Sequence, residues 1–183
     1  LALGISTGTA TKSAAAKNPG ATAQAIPWGP DAPSGNELSA WIAIAADNSV
    51  TFRVPTPEIG NGAMTQVAMN LAEELACNWA DVRVEFSAVH RDDVEKGVYP
   101  SGFLPFFGGH GTDEVRMAYA LQLGASARER LKAAAAARWQ VPVAEITTDN
   151  GVLRHKGGLE LRYGDVAAAA ASLTLETEPA LKP

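Results

Sequence analysis

Pro57-Glu58-Ile59-Gly60-Asn61-Gly62-Ala63-Met64-Thr65 joins a strand-like run to an amphipathic helix, and its reading decides the fold. Two glycines flank one carboxamide. Glycine tolerates positive φ and takes up the least room, so the backbone can turn sharply there and pass close to another group. The helix that follows presents its first N–H groups back toward the turn, an arrangement suited to an anion. By itself a Gly-x-Gly before a helix is ordinary punctuation. A second glycine cluster, Phe106-Phe107-Gly108-Gly109-His110-Gly111-Thr112, opens another long helix. Two such corners in one small domain could face one ligand from two sides.

Upstream of the first corner, residues 41–46 and 50–54 read as a hairpin around Asp47-Asn48-Ser49, in which Ile42 and Ile44 share a face, as do Val50, Phe52 and Val54. Pro55 and Pro57 end the second strand, since proline has no N–H to give the ladder. Downstream, Met64, Val67, Ala68, Leu71 and Leu75 recur at helical spacing and predict a helix over residues 62–77, with Glu73 and Glu74 facing outward. Val82, Val84 and Phe86 then alternate with Arg83, Glu85 and Ser87, which predicts a half-buried strand. The order to this point is β-β-α-β.

Residues 87–109 lose the pattern. A charged stretch gives way to Tyr99, Phe103, Phe106 and Phe107, and a loop this long tends to be functional or to cover a partner. His90, Asp92 and Asp93 have the composition of a metal cluster, but no second histidine stands at ligand spacing, and no metal site is assigned. The second helix is predicted from Thr112 or Asp113 to about Arg138. Asp113 and Glu114 suit the positive end of its dipole, and Met117, Leu121, Gly124, Ala127, Leu131 and Ala134 form an apolar stripe of mostly small residues. Beyond Pro142, Asp149-Asn150-Gly151 marks a second hairpin on which His155 reads as a surface residue. Gly164-Asp165 starts a short alanine-rich helix with Asp165 as its N-cap.

These pieces predict an α+β fold: a small mixed sheet with two main helices packed on one face, plus a C-terminal hairpin and short helix. The expected core is Ile42, Ile44, Phe52, Val67, Leu71, Leu75, Val82, Val84, Leu121 and Leu131. At 183 residues the chain has room for one ordinary domain. Residues 37–173 are assigned to it. Residues 1–36, rich in Ala, Gly, Thr, Ser and Pro, read as a flexible tail in which Leu1-Ala2-Leu3-Gly4-Ile5 could be the remnant of an export signal. Residues 174–183 read as a linker to a missing following segment. A net charge of −5 without a dense Lys/Arg run argues against a nucleic-acid surface. The one cysteine, Cys77, permits no intramolecular disulfide and reads as a small core residue.

The order of motifs resembles one family. Glu58-Ile59-Gly60-Asn61-Gly62, Ala72-Glu73-Glu74-Leu75, Val82-Arg83-Val84, the glycine-rich turn and Gly124-Ala125-Ser126-Ala127-Arg128 are similar to the molybdopterin-binding part of the xanthine dehydrogenase and aldehyde oxidase family. Trp139, Asn150-Gly151-Val152, Tyr163-Gly164-Asp165 and Leu181-Lys182 resemble the subgroup of isoquinoline 1-oxidoreductase β subunits, where this region opens the large subunit. The resemblance spans about residues 38–183.

It implies a molybdenum hydroxylase that oxidises an aldehyde or an N-heterocycle with water as the oxygen source. The cofactor implied is molybdopterin with molybdenum, in its cytosine dinucleotide form. The implied partners are the remainder of the large subunit, a small subunit with two-iron, two-sulfur clusters, and a cytochrome c electron acceptor. The implied location is the periplasm, with membrane association through a partner. The resemblance assigns cofactor contacts to Gly60, Asn61 and Gly62, where the family carries Gly-Gln-Gly, and to Phe107, Gly108, Gly109, His110, Gly111 and Thr112 in the second turn. Backbone N–H groups of such turns bind ligand oxygens without a charged side chain.

The sequence departs from the family in three ways. Asn61 is one methylene shorter than glutamine, so its amide reaches about 1.5 Å less. Gly109 and Gly111 stand where serines are common. The family's catalytic glutamate belongs to a later segment with no match here, so no catalytic residue is assigned to this chain. Glu58, at a strand end, is a poor substitute for it. The departures leave an alternative open: a scaffold or interaction module of the same fold that no longer contacts the cofactor. A free-standing anion-binding protein using two helix N-termini is a third reading.

Overall fold

Strand β1 (Glu37–Ser39), β2 (Ile42–Ile44), β3 (Val50–Val54) and β4 (Val82–Phe86) form one sheet in that spatial order. The first two pairings are antiparallel, whereas β3 and β4 run parallel with Phe52 opposite Val84. A parallel pair needs a long crossover, and helix α1 (Ala63–Leu75) lies within it. The computed structural model describes residues 36–39, 41–54, 58–86 and 114–183. Residues 1–35 of the predicted tail, Pro55, Pro57, His90, Asp92, Asp93 and the predicted start of the second helix at Thr112 or Asp113 lie outside them.

The predicted alternation is present: Ile42, Ile44, Val50, Phe52 and Val54 are all buried. Val82 and Val84 are only half-buried, because β4 stands at the end of the sheet order. β1 escaped the sequence reading. It is three residues long, its register shifts between Glu37 and Ser39, and pairing rather than pattern defines it. Arg53 on β3 braces the sheet across its width through Glu37 on β1 and through Glu85 on β4, the latter at 2.7 Å.

Helix α2 (Glu114–Trp139) crosses α1 at very close range. A Cβ added at Gly124 would lie 2.7 Å from the Leu71 carbonyl oxygen and 2.8 Å from Glu74 Cβ, so only glycine fits at this crossing. The predicted single apolar stripe proves too narrow. Leu123, Gly124, Ala125, Ser126, Ala127 and Arg128 are buried in succession, and this part of α2 has no solvent face. The cause is its surroundings: α1 presses on Gly124, Ala180 of the extended tail meets Arg128, and strand β5 (Ile146–Asp149) and helix α3 (Ala167–Ala171) also pack on α2. Leu121, expected in the core, is half-buried.

Glu74 does not face outward as its sequence position suggests; it is 3% exposed. Arg128 Nη1 donates to its carboxylate at 2.6 Å and to its backbone oxygen at 2.8 Å. Arg128 Nη2 donates to the Ala180 carbonyl at 2.9 Å, and the Lys182 N–H donates to the Glu74 carboxylate at 3.1 Å. A charge can stay buried only when it is paired and hydrogen-bonded, and here the pair also fastens the extended residues 180–182 to the helices.

Strands β5, β6 (Val152–His155) and β7 (Glu160–Arg162) form a second, antiparallel sheet. Its first turn, Asn150-Gly151, has φ of 49° and 74°, the mirror-type turn expected of this dipeptide. The sheet is docked onto the C-terminus of α1. The buried Tyr163 hydroxyl donates to the carbonyls of Leu75 and Ala76 at 2.7 and 3.3 Å, and the Gly151 N–H donates to Ala76 at 3.0 Å. Asn48 on the first hairpin accepts from the Gly164 N–H at 3.0 Å and donates to the Gly151 carbonyl at 3.4 Å.

Two local expectations are corrected. Asp165 does not cap α3; it sits in a short helical turn (Tyr163–Asp165) and accepts from the Arg162 N–H at 2.8 Å, while Val166 precedes α3 without a side-chain cap. His155 is not simply a surface residue. It is half-buried, with Nε2 2.9 Å from Glu145 and its ring near Trp139. Cys77 is half-buried against the core, and burial pushes its thiol up to about 12.

Gly124→Ala is expected to destabilise the chain by about 1–3 kcal/mol in urea unfolding, through overpacking, although alanine is the better helix former. Glu74→Ala, which strands the buried Arg128 guanidinium, is expected to cost about 3–5 kcal/mol in the same measurement.

Candidate functional site

The site is built at the N-terminal end of α1, opposite the end that Tyr163 and Gly151 hold. Gly60 and Gly62 have φ of 93° and 76°, values that side-chain-bearing residues rarely adopt. Among the described residues a Cβ at either would meet nothing within 4 Å, so conformation rather than crowding calls for glycine there. Glu58, Ile59, Gly60 and Asn61 are exposed, with Ile59 at 68%. Met64 packs partly against the core, as its place in the helical stripe predicts.

The positive-φ glycines curl the chain around the side chain of Glu58. One carboxylate oxygen accepts from the N–H groups of Gly60 at 2.6 Å and Gly62 at 2.9 Å, and the other from Met64 at 3.1 Å. These bonds, Gly62 first and then Met64, hold the Glu58 carboxyl below the usual glutamate value of 4.5. Asn61 Oδ1 accepts from the Ala63 N–H at 3.3 Å, so its carboxamide is tied to the start of its own helix. The Gly60, Gly62, Ala63 and Met64 amides that the sequence offers to an outside anion are therefore engaged by groups of the chain itself. This removes the basis, at this turn, for the anion-binding reading.

Of the predicted cofactor residues, the structure places Gly60, Asn61 and Gly62 together on this exposed corner. Phe107, Gly108, Gly109, His110, Gly111 and Thr112 lie outside the described residues. The sequence reading missed what Glu58 does. Its signal was available: an acid two, four and six residues ahead of the amides it binds, with glycine at two of those positions. Elsewhere, an open depression of about 540 Å³ lies between α2 and the extended tail, lined by Glu129, Leu175, Glu176, Thr177, Pro179 and Ala180. Its charged side chains are acidic, which does not suit a phosphate-bearing ligand.

The sequence pattern of the molybdopterin cofactor-binding domain matches residues 3–182, almost the whole chain. The chain belongs to that family. Among similar proteins, the isoquinoline 1-oxidoreductase subunit beta of Brevundimonas diminuta is 31% identical over 134 residues, covering 70% of this chain and 16% of that protein. The chain thus spans about one-sixth of that relative. Among solved structures, quinoline 2-oxidoreductase from Pseudomonas putida 86 matches with a TM-score of 0.48 and 20% identity over 70% of this chain and 15% of that one. Reconstituted CO dehydrogenase from Oligotropha carboxidovorans matches with a TM-score of 0.48 and 22% identity over 76% of this chain and 17% of the other.

The corner of this molybdopterin cofactor-binding domain fits a large, oxygen-rich group on two counts. Among the described residues the space beside both glycines is clear, and the exposed side chains there include the uncharged carboxamide of Asn61.

The depressed Glu58 carboxyl makes the corner acid-sensitive. A group whose folded value lies below its unfolded value contributes stability above the unfolded value and loses it as pH falls through the folded one. Carbon-13 NMR of the Glu58 carboxyl should give a midpoint below 4.5. Amide exchange at Gly60, Gly62 and Met64 should lose its protection across that titration.

Proposed function

We propose that this domain forms one wall of the active site of a molybdenum hydroxylase, with Gly60-Asn61-Gly62 as a cofactor contact. The observation that carries the reading is the exposed, glycine-flanked Asn61, seated at the open end of a helix whose other end is locked into the core. When bound, molybdopterin supplies the metal that takes up two electrons from the substrate. The chain's own part is to hold and orient. Asn61 presents a carboxamide to the cofactor, and Gly60 and Gly62 keep side-chain bulk away from it. The glycine cluster at residues 107–112 forms the second contact in this proposal.

The finer assignments belong to the same proposal. The substrate is an aldehyde or an electron-poor N-heterocycle oxidised with water as the oxygen source, and the cofactor is the cytosine dinucleotide form. A small subunit with two-iron, two-sulfur clusters removes the electrons toward a cytochrome c, and the enzyme works in the periplasm. The relative named for isoquinoline oxidation supports the heterocycle. The chain's span of about one-sixth of that relative supports a remainder of the large subunit as partner.

The reading is tested on the assembled enzyme. Metal analysis is expected to find molybdenum and iron, and an active, fully assembled preparation without them refutes the proposal. Asn61→Ala is expected to lower kcat by roughly 10–100-fold while thermal unfolding shifts little, because the side chain is exposed. Unchanged turnover in this variant would favour the scaffold reading, which the short reach of Asn61 motivates.

A further inference from the structure

The bonds that backbone amides make to Glu58 have a consequence for how the corner can meet its ligand. Gly62 and Met64 stand at the start of α1, where backbone N–H groups lack helical partners and would otherwise bind an anionic group. Here the Gly60, Gly62 and Met64 amides all point at one carboxylate, at 2.6, 2.9 and 3.1 Å, and the next amide, Ala63, is bonded to Asn61 Oδ1. The two sets of bonds interleave. Asn61 lies between Gly60 and Gly62, so the backbone that aims its side chain is fixed on both sides by the same carboxylate. Among the described residues neither glycine is held by packing, since a Cβ at either would touch nothing within 4 Å. The hydrogen bonds to Glu58 therefore stand in for the packing that a rigid site needs.

Resting on the function proposed above, we propose that Glu58 is a positioning residue for the cofactor contact: its carboxylate fills the amide cup of residues 60–64, fixes the direction of the Asn61 carboxamide, and leaves this corner to meet the cofactor by side chain rather than by backbone anion binding. Any phosphate of the cofactor is then held elsewhere. The depressed carboxyl of Glu58 agrees with a charge kept in place at neutral pH. Glu58 does not touch the reacting atoms in this scheme; it acts through Asn61.

The assembled enzyme is compared as wild type, Glu58→Ala, Glu58→Gln, Asn61→Ala and the double variant Glu58→Ala/Asn61→Ala. Hydrogen exchange of peptides covering residues 58–66 reads the corner directly, and peptides in the middle of α1 report on the fold. Glu58→Ala is expected to speed exchange in residues 58–66 by about tenfold or more, with the rest of α1 unchanged. It is expected to lower kcat by a factor close to that of Asn61→Ala while KM moves less than about twofold. The double variant should be no slower than Asn61→Ala alone, because Glu58 acts only through that side chain. Glu58→Gln keeps one acceptor oxygen and should recover part of both losses.

Unchanged exchange over residues 58–66 in Glu58→Ala overturns the proposal. So do kcat losses that multiply in the double variant, or full activity in Glu58→Ala beside an impaired Asn61→Ala. Full activity in Asn61→Ala overturns the functional reading itself and the positioning role with it, and that result is separable from the exchange data.

Discussion

The structure depends on two helices lying closer than side chains normally permit. At position 124 the backbone of α2 faces the Leu71 carbonyl and the Glu74 side chain with no room for a methyl group between them. That contact brings the Arg128 guanidinium within reach of Glu74, and the pair then gathers Ala180 and Lys182 from the end of the chain. The pair is costly to desolvate, so it holds only because several hydrogen bonds converge on it. With α2 fixed against α1, the alanines around Ala127 and Ala134 can be buried on several sides, and the second sheet and α3 close over them.

Helix α1 is the element through which this packing reaches the functional corner. Its C-terminal carbonyls are satisfied by Tyr163 and Gly151, both from turns that flank the strands of the second sheet. Its N-terminal amides are satisfied by Glu58 and Asn61, both from the turn that precedes it. The buried end cannot shift without disturbing two sheets. The exposed end is set by a few polar bonds within one short stretch. Rigidity is thus supplied by the core at one end and by local hydrogen bonding at the other, a division suited to a side chain that must point in one direction while its surroundings stay accessible.

Local features were legible in the sequence, and long-range polar pairings were not. The alternation of Ile42 and Ile44 with Val50, Phe52 and Val54 is decided by the pleat, and the Asn150-Gly151 turn by its need for positive φ. Both depend on neighbours in the chain. Glu74 and Arg128 are 54 residues apart, and each looks like an ordinary charge on a helix until the crossing at Gly124 brings them together. Asp165 looked like a cap because it precedes an alanine run, yet the Arg162 N–H competes for it from the other side. β1 is too short to show a period, and its existence follows from pairing with β2. At the site, Gly60-Asn61-Gly62 announced a turn, but nothing in a pattern of residue types says that Glu58 folds back into it.

The burial of Cys77 bears on how it reacts. Burial pushes the thiol up to about 12, which disfavours the reactive sulfur anion at neutral pH. Oxidants and mixed-disulfide partners attack through that anion. In the folded domain this sulfhydryl is therefore a poor target for both.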